Sequence, residues 1–208
     1  MPIVVGVISA PTIHPDGSIL TRSGYDPATK IFSFWDGGDL CMPAAPTRFD
    51  AEEALEDLQH VLREFSYVDP VDRAVAFSAL LTVIARGALR VAPMHGVTAP
   101  TPGSGKSLLV DACAALATGR PCPMISASED DAETEKRLVA AVLSGFPLIS
   151  VDNVNRQLRS DLLCQAVERE IIHLRPLGSS AAIEIANRSC FSEPATASAS
   201  AAIWSGGR

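Results

Sequence analysis

The chain has 208 residues, 47% hydrophobic and 20% charged, enough for one α/β domain with a sizeable core and a smaller appendage. Its formal net charge of −7 argues against nucleic-acid binding by bulk charge, although 14 of the 17 cations are Arg and a local basic groove stays open. No apolar run approaches the ~20 residues of a membrane span, and Met1–Ala10 lacks the basic start of a secretory signal, so a cytoplasmic protein without a membrane partner is expected.

Residues 1–48 hold the densest strand and turn signals. Ile3–Ile8 is apolar and β-branched, Pro15-Asp16-Gly17 signals a turn before Ser18-Ile19-Leu20, Gly24-Tyr25-Asp26-Pro27 reads as another turn, and Ile31–Trp35 as another strand. These predict small antiparallel hairpins, with Met42–Pro46 as a linker. Residues 49–90 read as helical. Asp50 is the expected cap of a first helix, with Glu53 completing a capping box. Leu55, Leu58, Val61, Leu62 and Phe65 fall on one face of it. Asp69-Pro70 opens a second helix that runs to Gly87.

Residues 91–191 alternate strand and helix, which predicts a parallel sheet flanked by helices. The expected elements are a strand at Met94–Thr98, a helix from Lys106 to Ala117 ended by Gly119, and a strand at Pro123–Ser126. A helix capped by Ser128 and ending at Gly145 follows, then a strand at Pro147–Val151 and a helix at Leu162–Glu168. Ile171–Leu174 and Ala181–Ala186 read as strands around a Pro176–Gly178 turn. Of the 17 residues in 192–208, nine are Ala or Ser and no apolar periodicity is present, so this tail is expected to be disordered. The five cysteines are odd in number and form no C-x-x-C pair, which favours buried reduced thiols over a disulfide framework or zinc site.

Thr98-Ala99-Pro100-Thr101-Pro102-Gly103-Ser104-Gly105-Lys106-Ser107 carries the sharpest chemical signal. Gly103 and Gly105 let the backbone turn its N–H groups toward phosphate oxygens. Lys106 brings a positive charge to the β- and γ-phosphates, and the Ser107 hydroxyl is placed for a magnesium ion. The helix starting there points its positive end at the same phosphates. Thr101, Pro102, Gly103, Ser104, Gly105, Lys106, Ser107 and Leu108 are therefore the expected nucleotide-binding residues of a P-loop NTPase fold, with ATP and Mg2+ as ligands. Pro100 stands where the first glycine of G-x-x-x-x-G-K-[ST] belongs.

Phe146–Asp152 is an apolar strand ending in an acid, the Walker B arrangement, so Asp152 is expected to hold the magnesium ion together with Ser107. Asn153 follows where many such ATPases place Glu; an amide orients a water but cannot take its proton. Glu133 and Glu135 are candidate carboxylates for that task, and a solvated helix face is the competing reading for them, as for Lys136 and Arg137. The expected catalytic set is Asp152, Asn153 and Glu135. Arg175 is a further candidate for reaching nucleotide or a neighbouring subunit.

Together with Gly6-Val7-Ile8-Ser9-Ala10-Pro11, Asp16-Gly17, Gly24-Tyr25-Asp26, Glu135-Lys136-Arg137, Val151-Asp152-Asn153-Val154-Asn155 and Arg175-Pro176-Leu177-Gly178, the loop resembles the ATPase part of phage-, prophage- and plasmid-encoded primase–helicases. These are relatives of superfamily 3 helicases, and the resemblance covers residues 4–191. Pro100 and Asn153 are familiar variants in that group. The resemblance implies magnesium-assisted attack of water on the γ-phosphate in a ring of subunits. Single-stranded DNA is the implied partner, which the net charge does not itself support. It also implies a strand beyond Phe191 ending in a polar sensor residue, then an arginine finger; here Ser192-Glu193-Pro194 and the Ala/Ser tail follow. The primase module usual upstream is also expected to be absent. The expectation is a form truncated after Phe191 that hydrolyses ATP little or not at all, without stimulation by DNA, and with an unpaired sheet edge at Phe191. A nucleotide-binding remnant without turnover and a small-molecule P-loop kinase are the alternatives; no arginine-bearing lid is visible after Val151 for the latter.

Overall fold

The computed structural model describes residues 4, 6–34, 43, 45–101, 103–152, 160–178 and 180–196, with Ala195 and Thr196 described by their backbone only. The chain begins with five short strands, β1 (Gly6–Ile8), β2 (Thr12–Ile13), β3 (Ile19–Leu20), β4 (Gly24–Asp26) and β5 (Ile31–Ser33). Two helices follow, α1 (Arg48–Val61) and α2 (Pro70–Ile84), the second extended by a 3-10 turn at Ala85–Gly87. The remainder runs β6 (His95–Ala99), α3 (Lys106–Thr118), β7 (Met124–Ser126), α4 (Asp131–Leu143), β8 (Leu148–Asp152), α5 (Asp161–Glu168), β9 (Ile171–Leu174), β10 (Ile183–Ala186) and β11 (Cys190–Thr196).

A parallel sheet ordered β6-β11-β8-β7 forms the centre. Helices cover both of its faces, the α/β architecture that the alternation of elements predicts. On one face α2 and α3 bury Leu80, Val83, Leu109, Val110 and Cys113; on the other α4 and α5 bury Leu138, Val142, Leu162 and Leu163. Successive residues of β8 feed the two cores in turn: Leu148 joins the α2/α3 cluster, Ile149 and Val151 the α4/α5 cluster. Full burial of a side chain such as Leu80, Leu138 or Ile149 contributes about 1.5–3 kcal/mol. The hairpin of β9 and β10 extends the second layer through Ile172 and Leu174. No helix among the described residues is long and apolar enough to cross a membrane.

Local chemistry explains where the helices start. Asp69 accepts from the N–H groups of Val71 and Asp72 at 2.7 and 3.1 Å, Asp72 returns a bond to the Asp69 N–H, and Pro70 needs no partner at the first helical position. The cap of α1 is Thr47, with Asp50 as the third helical residue closing the box, one turn earlier than the sequence suggests. Asp130, and not Ser128, caps α4; the Ser128 hydroxyl instead accepts from the Asp130 N–H at 3.3 Å.

Two expectations about the strands are also corrected. Gly24–Asp26 is a strand and not a turn, and β1 pairs in parallel with β5 while β4 pairs with it antiparallel, so the first 34 residues are not purely antiparallel hairpins. This small sheet docks on the foot of the core. The Ser9 N–H and hydroxyl both donate to the Thr118 carbonyl, at 3.1 and 2.6 Å, satisfying one of the orphan acceptors at the end of α3. Gly119 ends that helix at φ 73°, and a Cβ there would stand 2.6 Å from the Ser9 Oγ, so the position needs glycine for both its torsion and its neighbour.

The second correction concerns the expected tail. Ser192–Thr196 is not disordered but completes β11, which pairs with β8 from Cys190↔Leu148 to Ser192↔Ser150 and with β6 from Ser192↔His95 to Thr196↔Ala99. Phe191, expected at an open edge, is 2% exposed and stands opposite Ile149. Ala, Pro and Glu carry little strand preference of their own; two flanking strands and burial supply what propensity lacks. Pro194, without an N–H, falls where the pairing with β8 has ended and only β6 remains alongside. Residues 197–208 lie outside the described part.

Arg86 sets the entry of β11. Its buried guanidinium donates to the carbonyls of Ser189 at 3.1 Å, Asn187 at 2.5 Å and Leu89 at 2.7 Å, tying the end of α2 to the segment ahead of the strand. Burial and the neighbouring Arg188 charge push the Arg86 group below the usual guanidinium range. Burial likewise pushes the Cys113 thiol up to about 11, and those of Cys122 and Cys190 to about 12, so all three are packing groups and not nucleophiles at neutral pH. Cys41 falls outside the described residues.

Candidate functional site

The loop between β6 and α3 turns on two left-handed glycines, Gly103 at φ 75° and Gly105 at φ 87°. Gly105 occupies the N-cap of α3 and supplies no side-chain cap. The other four helices are each closed by a side chain: Thr47 for α1, Asp69 for α2, Asp130 for α4 and Ser160 for α5. The first turn of α3, Lys106, Ser107 and Leu108, thus has no side-chain cap from its N-cap residue at the positive end of the helix dipole.

Lys106 is the first residue of α3. Its ammonium arches back across the loop, donating to the Thr101 carbonyl and the Ser104 hydroxyl, each at 3.2 Å. One of its three donors remains beyond those two bonds. Ser107 is half-buried beside it, and the Leu108 side chain is 63% exposed. Thr101, Gly103 and Ser104 are exposed at the rim, and Pro102 lies outside the described residues.

Asp152 ends β8. Because Leu148 packs into the α2/α3 core and side chains alternate, Ser150 and Asp152 lie on that same face, the one covered by the helix that begins at Lys106. β11 stands between β6 and β8, which places the two strands about 10 Å apart, twice the spacing of neighbours. The Lys106 ammonium beside uncapped backbone donors suits a polyphosphate; Asp152 shares the sheet face that α3 covers, and no described contact joins it to Ser107 or Lys106. Asn153 lies outside the described residues.

Glu135 does not join this group through any described contact. Its carboxylate accepts from the Ser160 hydroxyl and from the Leu162 N–H at 3.2 Å, holding the start of α5. Glu133 pairs with Lys136 at 3.6 Å and Arg137 at 3.2 Å on an exposed helix face, and Arg175 is exposed after β9.

Sequence reasoning missed the neighbour of this loop. A cavity of about 410 Å³ runs from Ser104, Gly105 and Lys106 to the α1–α2 connection, where Phe65 and Tyr67 form its wall. The Phe65 ring carbons stand 4.0 Å from the point a Cβ on Gly105 would occupy. The Tyr67 hydroxyl donates to the Leu62 carbonyl at 3.4 Å, and burial pushes this phenol up. His95, on β6, also lines the cavity, and burial pushes its imidazole below the usual range. The available signal was compositional: one of only two tyrosines lies two residues from a phenylalanine in a short interhelical connection. No protein-family model matches the chain, and no curated protein matches it.

Proposed function

We propose that the chain is a P-loop nucleotide-binding domain that takes Mg·ATP, and that it is the ATPase part of a primase–helicase of mobile-element type. The observation that carries the reading is the start of α3. Among the described α-helices it alone lacks a side-chain cap, it follows two left-handed glycines, and it opens on Lys106. In this reading the N–H groups of Gly105 to Leu108 bind phosphate oxygens, and Lys106 neutralises the outer phosphates in place of its present contacts with Thr101 and Ser104. Ser107 and Asp152 hold the magnesium ion, whose contribution is to neutralise phosphate charge. Binding is favoured over turnover, because Asn153 is an amide where a proton-accepting carboxylate serves related enzymes.

Titration calorimetry with Mg·ATP tests the proposal. A charge-assisted contact contributes about 1.5–3 kcal/mol, so Lys106→Ala is expected to weaken binding by roughly ten- to a hundredfold. Equal affinities for the two proteins would remove the assignment.

A further inference from the structure

We propose that the groove at the foot of the core, between the small N-terminal sheet and the start of β8, is a binding site for a small amphipathic anion: an apolar body that carries a phosphate monoester head. The inference does not depend on the reading of the Lys106 loop. Thr118, at the opposite end of α3, lines the groove, roughly 18 Å along that helix from Lys106. The groove encloses about 820 Å³, within the range of about 300–1,000 Å³ typical of small-molecule sites. Its walls are tied together. Ser9 holds the small sheet to the Thr118 carbonyl, and a Cβ on Gly6 would stand 3.2 Å from the Gly145 carbonyl oxygen.

Charge sets the sign of the ligand. Lys30 from the β4–β5 turn, Arg120 from the α3–β7 connection and Arg188 from the β10–β11 connection line the groove, against a single carboxylate, Glu184. The Arg120 N–H and carbonyl are both bonded by the Thr118 hydroxyl at 3.3 Å, while its guanidinium and the Lys30 ammonium have no partner among the described residues. Arg188 commits one nitrogen to the Gly87 carbonyl at 3.3 Å, and Glu184 faces His173 at 3.7 Å. Lys30 also stands at φ 58°, the one described non-glycine residue in the left-handed region. Such backbone is uncommon outside glycine and concentrates at ligand clamps. Three positive charges against one negative leave an excess of two, which matches a phosphate monoester at about −1.5 to −2.

The other polar side chains do not compete for a neutral ligand. Thr29, Thr118, Ser144 and Ser189 line the groove, and each hydroxyl donates to a protein acceptor: the Asp26 carboxylate and the Ala114, Ala140 and Phe146 carbonyls. The side-chain donors left for a ligand are the cations. Beside them lies apolar surface open to solvent: Val7, Leu143 and Phe146 are 48%, 42% and 39% exposed. Pro121, Pro123 and Pro147 extend it and bring no N–H. Wet apolar area next to unpaired cations suits a molecule that is apolar at one end and doubly charged at the other.

Calorimetry on the full chain with octyl phosphate, kept below its micelle concentration, tests the inference. Octanoate, octanol and inorganic phosphate are the comparison probes, and octyl phosphate should bind at least about tenfold tighter than each. Lys30→Gly suits the left-handed torsion, and Arg120→Gln keeps an exposed polar side chain without its charge. Each should lower octyl phosphate affinity about tenfold without lowering the thermal unfolding midpoint. Lys106→Ala should leave it unchanged.

Octyl phosphate binding no tighter than inorganic phosphate or octanol would overturn the amphipathic match, and octanoate binding as tightly would overturn the phosphate head. Full affinity in both Lys30→Gly and Arg120→Gln, or its loss in Lys106→Ala, would take the ligand out of the groove. Binding to vesicles of anionic phospholipid without binding of octyl phosphate would overturn the small molecule in favour of a membrane surface. A glutamate-rich peptide that binds tighter than octyl phosphate and displaces it would do so in favour of a protein segment.

Discussion

Ser150 and Ser192 stand opposite one another in adjacent parallel strands, both buried, and neither hydroxyl has a hydrogen-bond partner among the described residues. An unsatisfied buried polar group costs about 1–3 kcal/mol, and the two hydroxyls are small enough that removing one leaves little void. Ser150→Ala is therefore expected to raise unfolding free energy by about 1 kcal/mol in urea titration. A loss of stability of that size would show that the pair is satisfied after all.

Arg86 illustrates the opposite case. Its guanidinium serves three carbonyls from inside the structure. Arg86→Met leaves them without that donor and should destabilise the fold by about 3 kcal/mol or more. Arg86→Lys should recover little, because an ammonium is a point charge and not a planar fork reaching separated acceptors. Full recovery by Lys in thermal unfolding would reduce the role of Arg86 to charge alone.

The elements that define the proposed site were legible where a local rule decides them. Asp69-Pro70 announces α2 by capping chemistry, and Gly103-Ser104-Gly105-Lys106 announces the loop by torsion and charge, so neither needs a distant partner. β11 was illegible for the converse reason. Ser192-Glu193-Pro194-Ala195-Thr196 has no strand signature, and its conformation comes from His95–Ala99, on the far side of some ninety residues of chain. The wall formed by Phe65 and Tyr67 was hidden similarly. Their spacing says that they are apolar, but only the approach of Phe65 to Gly105 makes them part of a cavity.

Glu193 offers a pH signature. It is 2% exposed in the middle of β11, one carboxylate oxygen has no described partner, and burial pushes its carboxyl above the usual range. A group whose pKa is higher folded than unfolded holds more protons in the native state, so stability falls as pH rises through the interval between the two values. Below both values it imposes no penalty. Glu193→Gln should accordingly stabilise the protein more at about pH 8 than at about pH 5, where the unfolded carboxyl begins to regain its proton. Unfolding curves at both pH values check this, and a mutational effect independent of pH would contradict it.

Asp152→Asn keeps the shape of a half-buried strand-end residue and removes its charge. ATP binding should then lose its dependence on magnesium while circular dichroism remains unchanged. An undiminished magnesium response would separate Asp152 from the cation.

The position of β11 also governs how the chain is made. β6 and β8 have no ladder with each other; β8 pairs with β7 on its other side, and the described strand that joins β6 to the rest of the sheet is β11, which follows both in sequence. During synthesis a ribosome that has released everything as far as Ala186 has therefore delivered the Lys106 loop and Asp152 on strands with nothing to bridge them. Closure awaits the last seven-residue strand, pairing at long sequence separation, the slow kind of contact in folding. Until then the Ile149 and Val97 strands present bare backbone edges, and the interval before β11 emerges is the one in which the nascent chain most needs protection from other strands.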